Sequence, residues 1–374
     1  MQRSLEKIIR DKIRSEGPLS FHDFMEMALY YPELGYYTSE TEKFGKFGDY
    51  YTAPHLSAVY GNLVAKQLEE MWQLCGKKDF TVVEYGAGTG ALCVDILRQL
   101  KENKELYEGL KYCIIEKSKI MRLKEQKVLT ESGIAEGKVY WFDSISEIPP
   151  ITGCVLANEV IDNFSVHKVV MEKNGLMEVF VDYDQTFIEV LKPAQDRLTD
   201  YFARLDVRLP EGFHTEVNLE AIEWIKEVSA FLEKGFVLTI DYGFPSSELY
   251  RPYRRLGTMI CYNKHTVNDL PYADIGQQDI TTHVNFSALD LWGEKYGLTK
   301  CGFTNQSQFL IGLGLATQLR KEEETKMNNY QLKERLMMMH TLLISMGKKI
   351  KVFIQQKGLS RPALSGFQFS EPLI

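Results

Sequence analysis

Phe80-Thr81-Val82-Val83-Glu84-Tyr85-Gly86-Ala87-Gly88-Thr89-Gly90 decides the fold of this 374-residue chain. A β-forming run reaches a carboxylate, turns through alternating glycines and hands over to a helix-forming run, Ala91 to Leu100. Strand, glycine turn and helix N-terminus in this order build a nucleotide-cofactor site at the carboxyl end of a parallel strand. Gly86 to Ala91 also satisfies G-x-G-x-x-A, so the glycines alone leave a dinucleotide and an NAD-dependent oxidoreductase open.

Glu84 and the tighter G-x-G-x-G spacing favour a different cofactor. A carboxylate just ahead of the first glycine suits a cationic amino-acid tail better than a pyrophosphate. S-adenosylmethionine carries such a tail, an ammonium and a sulfonium, and no phosphate. Gly86, Gly88 and Gly90, with Ala87 between them, let the backbone approach the methionyl part where a Cβ would clash. Further strands then end in polar residues. Lys111 to Glu116 reads as a second strand, its terminal acid about 20–30 positions beyond the glycine loop, where an acid commonly holds ribose hydroxyls. Lys138 to Asp143 reads as a third, with Asp143 placed to accept from an adenine amino group. Gly153 to Ala157 reads as a fourth and runs into Asn158-Glu159-Val160-Ile161-Asp162.

Composition limits the alternatives. At 44% hydrophobic the chain can bury one large core with insertions, or two. Its net charge of −7, without a basic block, argues against nucleic acid as the main partner. The cysteines are scattered with no C-x-x-C, which reads as reduced core thiols in a cytoplasmic protein. No apolar run approaches the ~18 residues of a membrane span. Met1 to Arg14 is basic and amphipathic like an organelle presequence, but Glu6 and Asp11 make it read as the first helix of the fold. P-loop, G-x-S-x-G and H-E-x-x-H motifs are absent, and no metal site is expected.

Outward from the glycine loop, helical periodicity marks Leu5 to Ile13, Phe21 to Leu29 and Leu56 to Leu74, with an irregular aromatic segment, Tyr30 to Tyr51, between the last two. A hairpin about Asn174-Gly175 joins Lys168–Glu172 to Leu176–Asp182. Helices are predicted from Asn218 to Leu232, Ser287 to Tyr296 and Gln331 to Leu343. A fifth strand lies at Gly235 to Gly243, a sixth near Thr299 to Thr304 and a closing strand at Lys349 to Gln355. The division is a helical region over 1–76, then a core over 77–374 with an insertion at about 163–217 and a loop-rich segment at about 244–285. Right-handed crossovers make the first five strands parallel and return the fourth beside the first, so that Glu84, the glycines, Glu116, Asp143 and Asn158 face one crevice.

With these residues in place, the chain resembles the MidA-type methyltransferases, a family that includes the mitochondrial complex I assembly factor that methylates an arginine. The stretches that carry the likeness are Leu29-Tyr30-Tyr31-Pro32-Glu33-Leu34-Gly35-Tyr36-Tyr37, Gly48-Asp49-Tyr50-Tyr51-Thr52-Ala53-Pro54-His55, the glycine loop, Ala157 to His167, Asp241-Tyr242-Gly243 and Asp279 to Phe286. The resemblance implies an α/β fold with a seven-stranded class I methyltransferase sheet, S-adenosylmethionine as cofactor, and a loop bearing Gly48, Thr52 and Pro54 over it. It also implies a protein substrate, with a respiratory-complex subunit as one form of it. Asn285 stands where the family carries an acid.

A guanidinium is a poor nucleophile while its charge is delocalised, so the acceptor side needs carboxylates that localise the charge and accept a proton. Glu159 and Asp162, at i and i+3, share a face if their turn is helical, with Asp241 behind them. His167 and His283 read first as structural hydrogen-bonding groups in loops and second as proton acceptors, and Tyr36, Tyr37, Tyr50 and Tyr51 either wall the acceptor, cover the adenine or pack the N-terminal core. The place after the fourth strand lacks the [DN]-P-P-Y of nucleobase N-methylation. A small-molecule methyltransferase and a non-catalytic scaffold on the same fold are the remaining alternatives.

Overall fold

In the computed structural model, residues 4–40, 43, 53–134, 137–264, 266–323, 333, 337–360, 362–370 and 373 are described. The main sheet is built from β1 (Phe80–Tyr85), β2 (Leu110–Ile115), β3 (Val139–Phe142), β4 (Ile151–Asn158), β5 (Leu232–Phe244), β6 (Thr299–Asn305) and β7 (Ile350–Lys357), in the order β6-β7-β5-β4-β1-β2-β3. A two-residue strand, Val284–Asn285, pairs parallel with the end of β5. β1 to β5 are parallel, and β7 runs antiparallel to both β5 and β6. Strand order reverses between β1 and β4, so a crevice opens at their carboxyl ends.

Side-chain alternation explains why both faces are covered. Val82 points into a core shared with the helices Ala58–Cys75, Ala91–Leu100 and Lys119–Ser132, together with Ile114, Leu156 and Leu238. Val83 points into a second core with Cys113, Val155 and Val237, covered by the helices Leu219–Phe231 and Phe286–Lys295. Asn285 is the N-cap of the latter helix. Its Oδ1 accepts from Ala288 N at 3.1 Å, and its amide donates to the Tyr201 and Tyr250 hydroxyls.

A third core joins the start of the chain to the insertion. Leu5, Ile9, Ile13, Phe21 and Phe24 pack with Val166, Val181, Cys261 and Ile280. Leu19–Ser20 pairs with Val181 and Phe180, making the N-terminal segment an edge of the antiparallel sheet that also holds His167–Glu172, Gly175–Asp184, Thr186–Pro193 and His214–Val217. The expected hairpin is present, but the strand Thr186–Pro193 has no counterpart in the sequence reading. It is a largely exposed edge, entered through Gln185 at φ +62° rather than through a glycine, so neither apolar alternation nor a turn residue announces it. The segment read as loop-rich carries a small antiparallel sheet, Ile260–Asn263 with Thr266–Asn268 and Asp279–Thr281. Of the helix expected over Gln331 to Leu343, residues 337–340 are α-helical and run into the π-helical turn Thr341–Ser345, and 331, 332 and 334–336 lie outside the described residues.

Candidate active site at the switch point

A cavity of about 1550 Å³ opens where β1 and β4 end. Glu84, Gly86, Ala87 and Gly88 line it from β1 and its turn, Glu116 from the end of β2, Asp143 from the end of β3, and Asn158 and Glu159 from the end of β4. Gly90 is not among the lining residues; it is the left-handed N-cap of the helix Ala91–Leu100.

The glycine loop follows from local backbone needs. Gly86, at φ +58°, donates its N–H to Ile115 O at 3.0 Å, and a Cβ there would lie 3.3 Å from Val160 Cγ2. Two requirements, a left-handed residue and a close approach of the Val160 side chain, coincide at one position. Above the loop, Pro54 and His55 in the short helix Ala53–Leu56 line the cavity, and His55 Nε2 lies 2.9 Å from Thr89 Oγ1. Gly48, Thr52, Tyr50 and Tyr51 lie outside the described residues.

The carboxylates differ sharply in their surroundings. Glu84 is buried and accepts from the Tyr112 hydroxyl at 2.8 Å, and burial pushes its carboxyl up to about 7. Glu116 accepts from Ser118 N at 2.6 Å and is likewise pushed up to about 7 by burial. Asp143 is 73% exposed and ion-pairs with Arg122, so it holds the rim of the cavity and is not presented bare to a base. Asn158 lines the cavity and accepts from the buried Tyr60 hydroxyl at 2.5 Å, and its side chain also hydrogen-bonds the Glu159 carboxyl.

Glu159 has φ +53°, outside the right-handed helical region. The i, i+3 relation expected with Asp162 therefore does not form: Glu159 lines the cavity, while Asp162, in the single 3₁₀ turn Ile161–Asn163, does not. Glu159 Oε1 is buried with no hydrogen-bond partner among the described residues, and burial next to Asp241 raises its carboxyl to about 8. Asp241 also lies away from the lining. Its Oδ2 accepts the backbone N–H groups of Val160, Ile161 and Asp162 at 3.2, 2.8 and 3.3 Å. It braces the turn that follows Glu159.

The aromatic and histidine candidates separate similarly. Tyr36 is fully packed in the N-terminal core, whereas Tyr37 lines the cavity and donates to Asp279 Oδ2 at 2.9 Å. His167 lines the cavity, stacked at 4.9 Å on His22, with Nδ1 2.7 Å from Glu178 Oε1. His283 does not line it; burial lowers its imidazole to about 4. The sequence reading missed the acids of the helix Leu219–Phe231. Glu220, Glu223 and Glu227 all line the cavity with Trp224, and their i, i+3, i+7 spacing on a predicted helix was the available signal.

A seven-strand sheet with this order, a glycine turn at the switch point and acids at successive strand ends defines a class I, nucleotide-cofactor transferase architecture. Residues 63–304 match the family described as "Putative S-adenosyl-L-methionine-dependent methyltransferase", and the chain belongs to that family. A Burkholderia thailandensis protein solved bound to S-adenosyl-homocysteine is 30% identical with a TM-score of 0.88, over 98% of this chain and 95% of that one. "Protein arginine methyltransferase NDUFAF7, mitochondrial" of Danio rerio is 27% identical, over 94% of this chain and 87% of that protein. The Homo sapiens protein of the same name is 27% identical, over 91% and 81%. The expectation of a cytoplasmic protein is corrected by these relatives, which are named mitochondrial. All six cysteines are free.

Proposed function

We propose that this S-adenosylmethionine-dependent methyltransferase methylates an arginine side chain of a partner protein. The observation that carries the reading is the Glu159 carboxyl, lining the cavity at the switch point with one oxygen unpartnered among the described residues. Three further features support it. The cavity exceeds the ~300–1,000 Å³ usual for one small ligand, which leaves room for an acceptor beside the cofactor. Its lining includes ten acids (Glu26, Glu33, Glu40, Glu84, Glu116, Asp143, Glu159, Glu220, Glu223, Glu227) against three lysines and arginines (Lys117, Lys119, Arg197), which favours a cation. Relatives along most of the chain are named protein arginine methyltransferases. A respiratory-complex subunit as the acceptor is the finer form of the same proposal.

The residues fit the cofactor: a glycine turn that a Cβ would crowd, a buried acid beside it and a second acid at the next strand end. Glu84 and the turn Gly86–Gly90 would hold the cationic amino-acid end, Glu116 the ribose hydroxyls, and Asp143 with Asn158 the base and its surroundings. Pro54 would cover the site. When bound, the cofactor supplies an electrophilic methyl group. Glu159 accepts N–H bonds from the guanidinium, draws its positive charge away from the attacking nitrogen, and takes the proton that nitrogen loses. Asp241 keeps the Val160–Asp162 turn in the shape that aims Glu159. Asp162, buried behind it with a carboxyl raised by burial and by Asp241, adds to the negative surroundings when ionised.

The test uses S-adenosylmethionine with a heavy-isotope methyl group and peptides centred on arginine or on lysine, read by mass spectrometry. Label on arginine alone, lost in Glu159→Gln with S-adenosyl-homocysteine binding retained, supports the assignment. Label on lysine alone, or wild-type transfer by Glu159→Gln, defeats it.

A further inference from the structure

Asn163 lines the same cavity as Glu159. It ends the 3₁₀ turn Ile161–Asn163, and its N–H donates to Val160 O at 3.3 Å. A bond from the fourth residue of a turn to its first keeps their Cα atoms within ~7 Å, so Asn163 returns beside the residue that follows Glu159. Three other parts of the chain pin the carbonyls of this turn. Asn218 Nδ2 donates to Ile161 O at 3.0 Å, Thr282 N to Asp162 O at 2.9 Å, and the Tyr30 hydroxyl to Asn163 O at 3.0 Å.

The side chain is held as firmly as the backbone. Asn163 Nδ2 lies 3.0 Å from Oδ1 of Asp279, a buried acid whose Oδ2 accepts from the Tyr37 hydroxyl at 2.9 Å. A carboxylate offers acceptors only, so it is the amide N–H of Asn163 that turns to Asp279. The carbonyl Oδ1 is then the polar atom of Asn163 without a partner among the described residues, on a residue only 7% exposed. A carbonyl so placed costs free energy that a ligand N–H recovers. A guanidinium carries five N–H groups in one plane, and a single carboxylate meets two of them in a fork. Glu159 alone therefore leaves N–H groups of the acceptor unmet.

We propose that Asn163 is a guanidinium-binding residue of the acceptor site, its Oδ1 accepting an N–H from a nitrogen that is not methylated while Glu159 holds the attacking one. The inference rests on arginine as the acceptor and deepens that reading. The two groups divide the work. Glu159 takes a proton, whereas the Asn163 carbonyl only accepts a hydrogen bond and so orients the planar group without competing for that proton. The N–H groups of a guanidinium are spread over three nitrogens, and those of a lysine ammonium share one, so a second acceptor on the same wall favours arginine.

Calorimetry and steady-state kinetics on wild type, Asn163→Ala and Asn163→Leu test this. S-adenosyl-homocysteine is titrated first, then arginine-centred and lysine-centred peptides into its complex. Leucine keeps roughly the volume of asparagine without its polar atoms. Both variants should bind S-adenosyl-homocysteine within about threefold of wild type and the arginine peptide about tenfold or more weakly. The lysine peptide should change by less than about threefold, and KM for the arginine peptide should rise more than kcat falls. A packing role alone would move cofactor and peptide together, so equal losses of the two overturn the inference. A loss confined to S-adenosyl-homocysteine, or wild-type affinity for the arginine peptide in both variants, also overturns it. Transfer by wild type to lysine alone overturns the arginine reading beneath it, whatever the variants do. Equal transfer to arginine by all three proteins overturns only the role of Asn163.

Discussion

At the scale of single residues, the proposed chemistry rests on acids held in poorly solvating surroundings. Burial keeps the Glu84 carboxyl up to about 7, so a cation entering beside it competes with a proton. S-adenosylmethionine affinity should therefore rise about tenfold from pH 6 to 8, with proton release on binding, and Glu84→Gln should flatten that rise; calorimetry in buffers of different ionisation enthalpy measures both. Glu159, raised to about 8, should make turnover climb through pH 8 to a plateau. Glu159→Gln should lower kcat about 10²-fold or more while leaving S-adenosyl-homocysteine binding intact, as a stopped assay and a titration would show. Glu84, Glu116 and Glu159 were legible because strand ends fix where such side chains go. The different environments of Glu159, Asp162 and Asp241 were not. One left-handed residue, Glu159 at φ +53°, turned an apparent i, i+3 pair into one cavity-lining acid and one buried behind it. Asn285 is another case: a residue that departs from the family pattern caps a helix and does not line the cavity.

At the scale of elements, the account depends on turns that aim side chains. Asp241 holds the turn after β4 by accepting its backbone N–H groups. Asp241→Asn replaces one acceptor oxygen by a donor that faces or rivals those N–H groups. It should cost about 1–3 kcal/mol in urea unfolding and lower kcat more than it weakens cofactor binding. Gly86→Ala should cost about 1–2 kcal/mol for its left-handed backbone alone, before the approach to Val160 is counted, and should weaken the cofactor more than it alters the fold. Strands and helices with apolar alternation or clear caps were read close to their observed bounds. β5 extends over Leu232–Phe244 against the expected Gly235 to Gly243, and the helix Leu219–Phe231 against Asn218 to Leu232. Elements stabilised by pairing and not by burial, such as the exposed edge Thr186–Pro193, left no comparable trace.

At the scale of the whole molecule, the N-terminal helices belong to two different layers. Ala58–Cys75 packs on the main sheet, whereas Leu5–Glu16 and Phe21–Tyr30 pack with the insertion. The proposed division of the chain at residue 76 therefore crosses a packed layer, and removal of residues 4–30 should expose the insertion's inner face. Phe24→Ala, inside that shared core, should cost about 3–5 kcal/mol of unfolding free energy. The pH dependence of stability has a definite sign. Glu84, Glu116, Glu125, Glu159 and Asp241 all hold protons more tightly folded than unfolded, and His22 does so through Asp23 and Glu220. For the acids, that stabilisation is full below about pH 4 and is lost as pH rises through about 7 to 9; for His22 it is full below about 6.5 and lost toward about 10. Tm without cofactor should fall from pH 6 to 9, and S-adenosylmethionine, which favours ionised Glu84, should restore more of it at the higher pH. This coupling was beyond the sequence because it depends on how many acids the fold buries.

The most direct test of the central claim is mass-spectrometric detection of a heavy-isotope methyl group passing from S-adenosylmethionine to an arginine-centred peptide, compared between wild type and Glu159→Gln. The account predicts label on an arginine side-chain nitrogen with wild type and almost none with the variant, both proteins binding S-adenosyl-homocysteine alike. Label on any other group, or equal transfer by the two proteins, would contradict it.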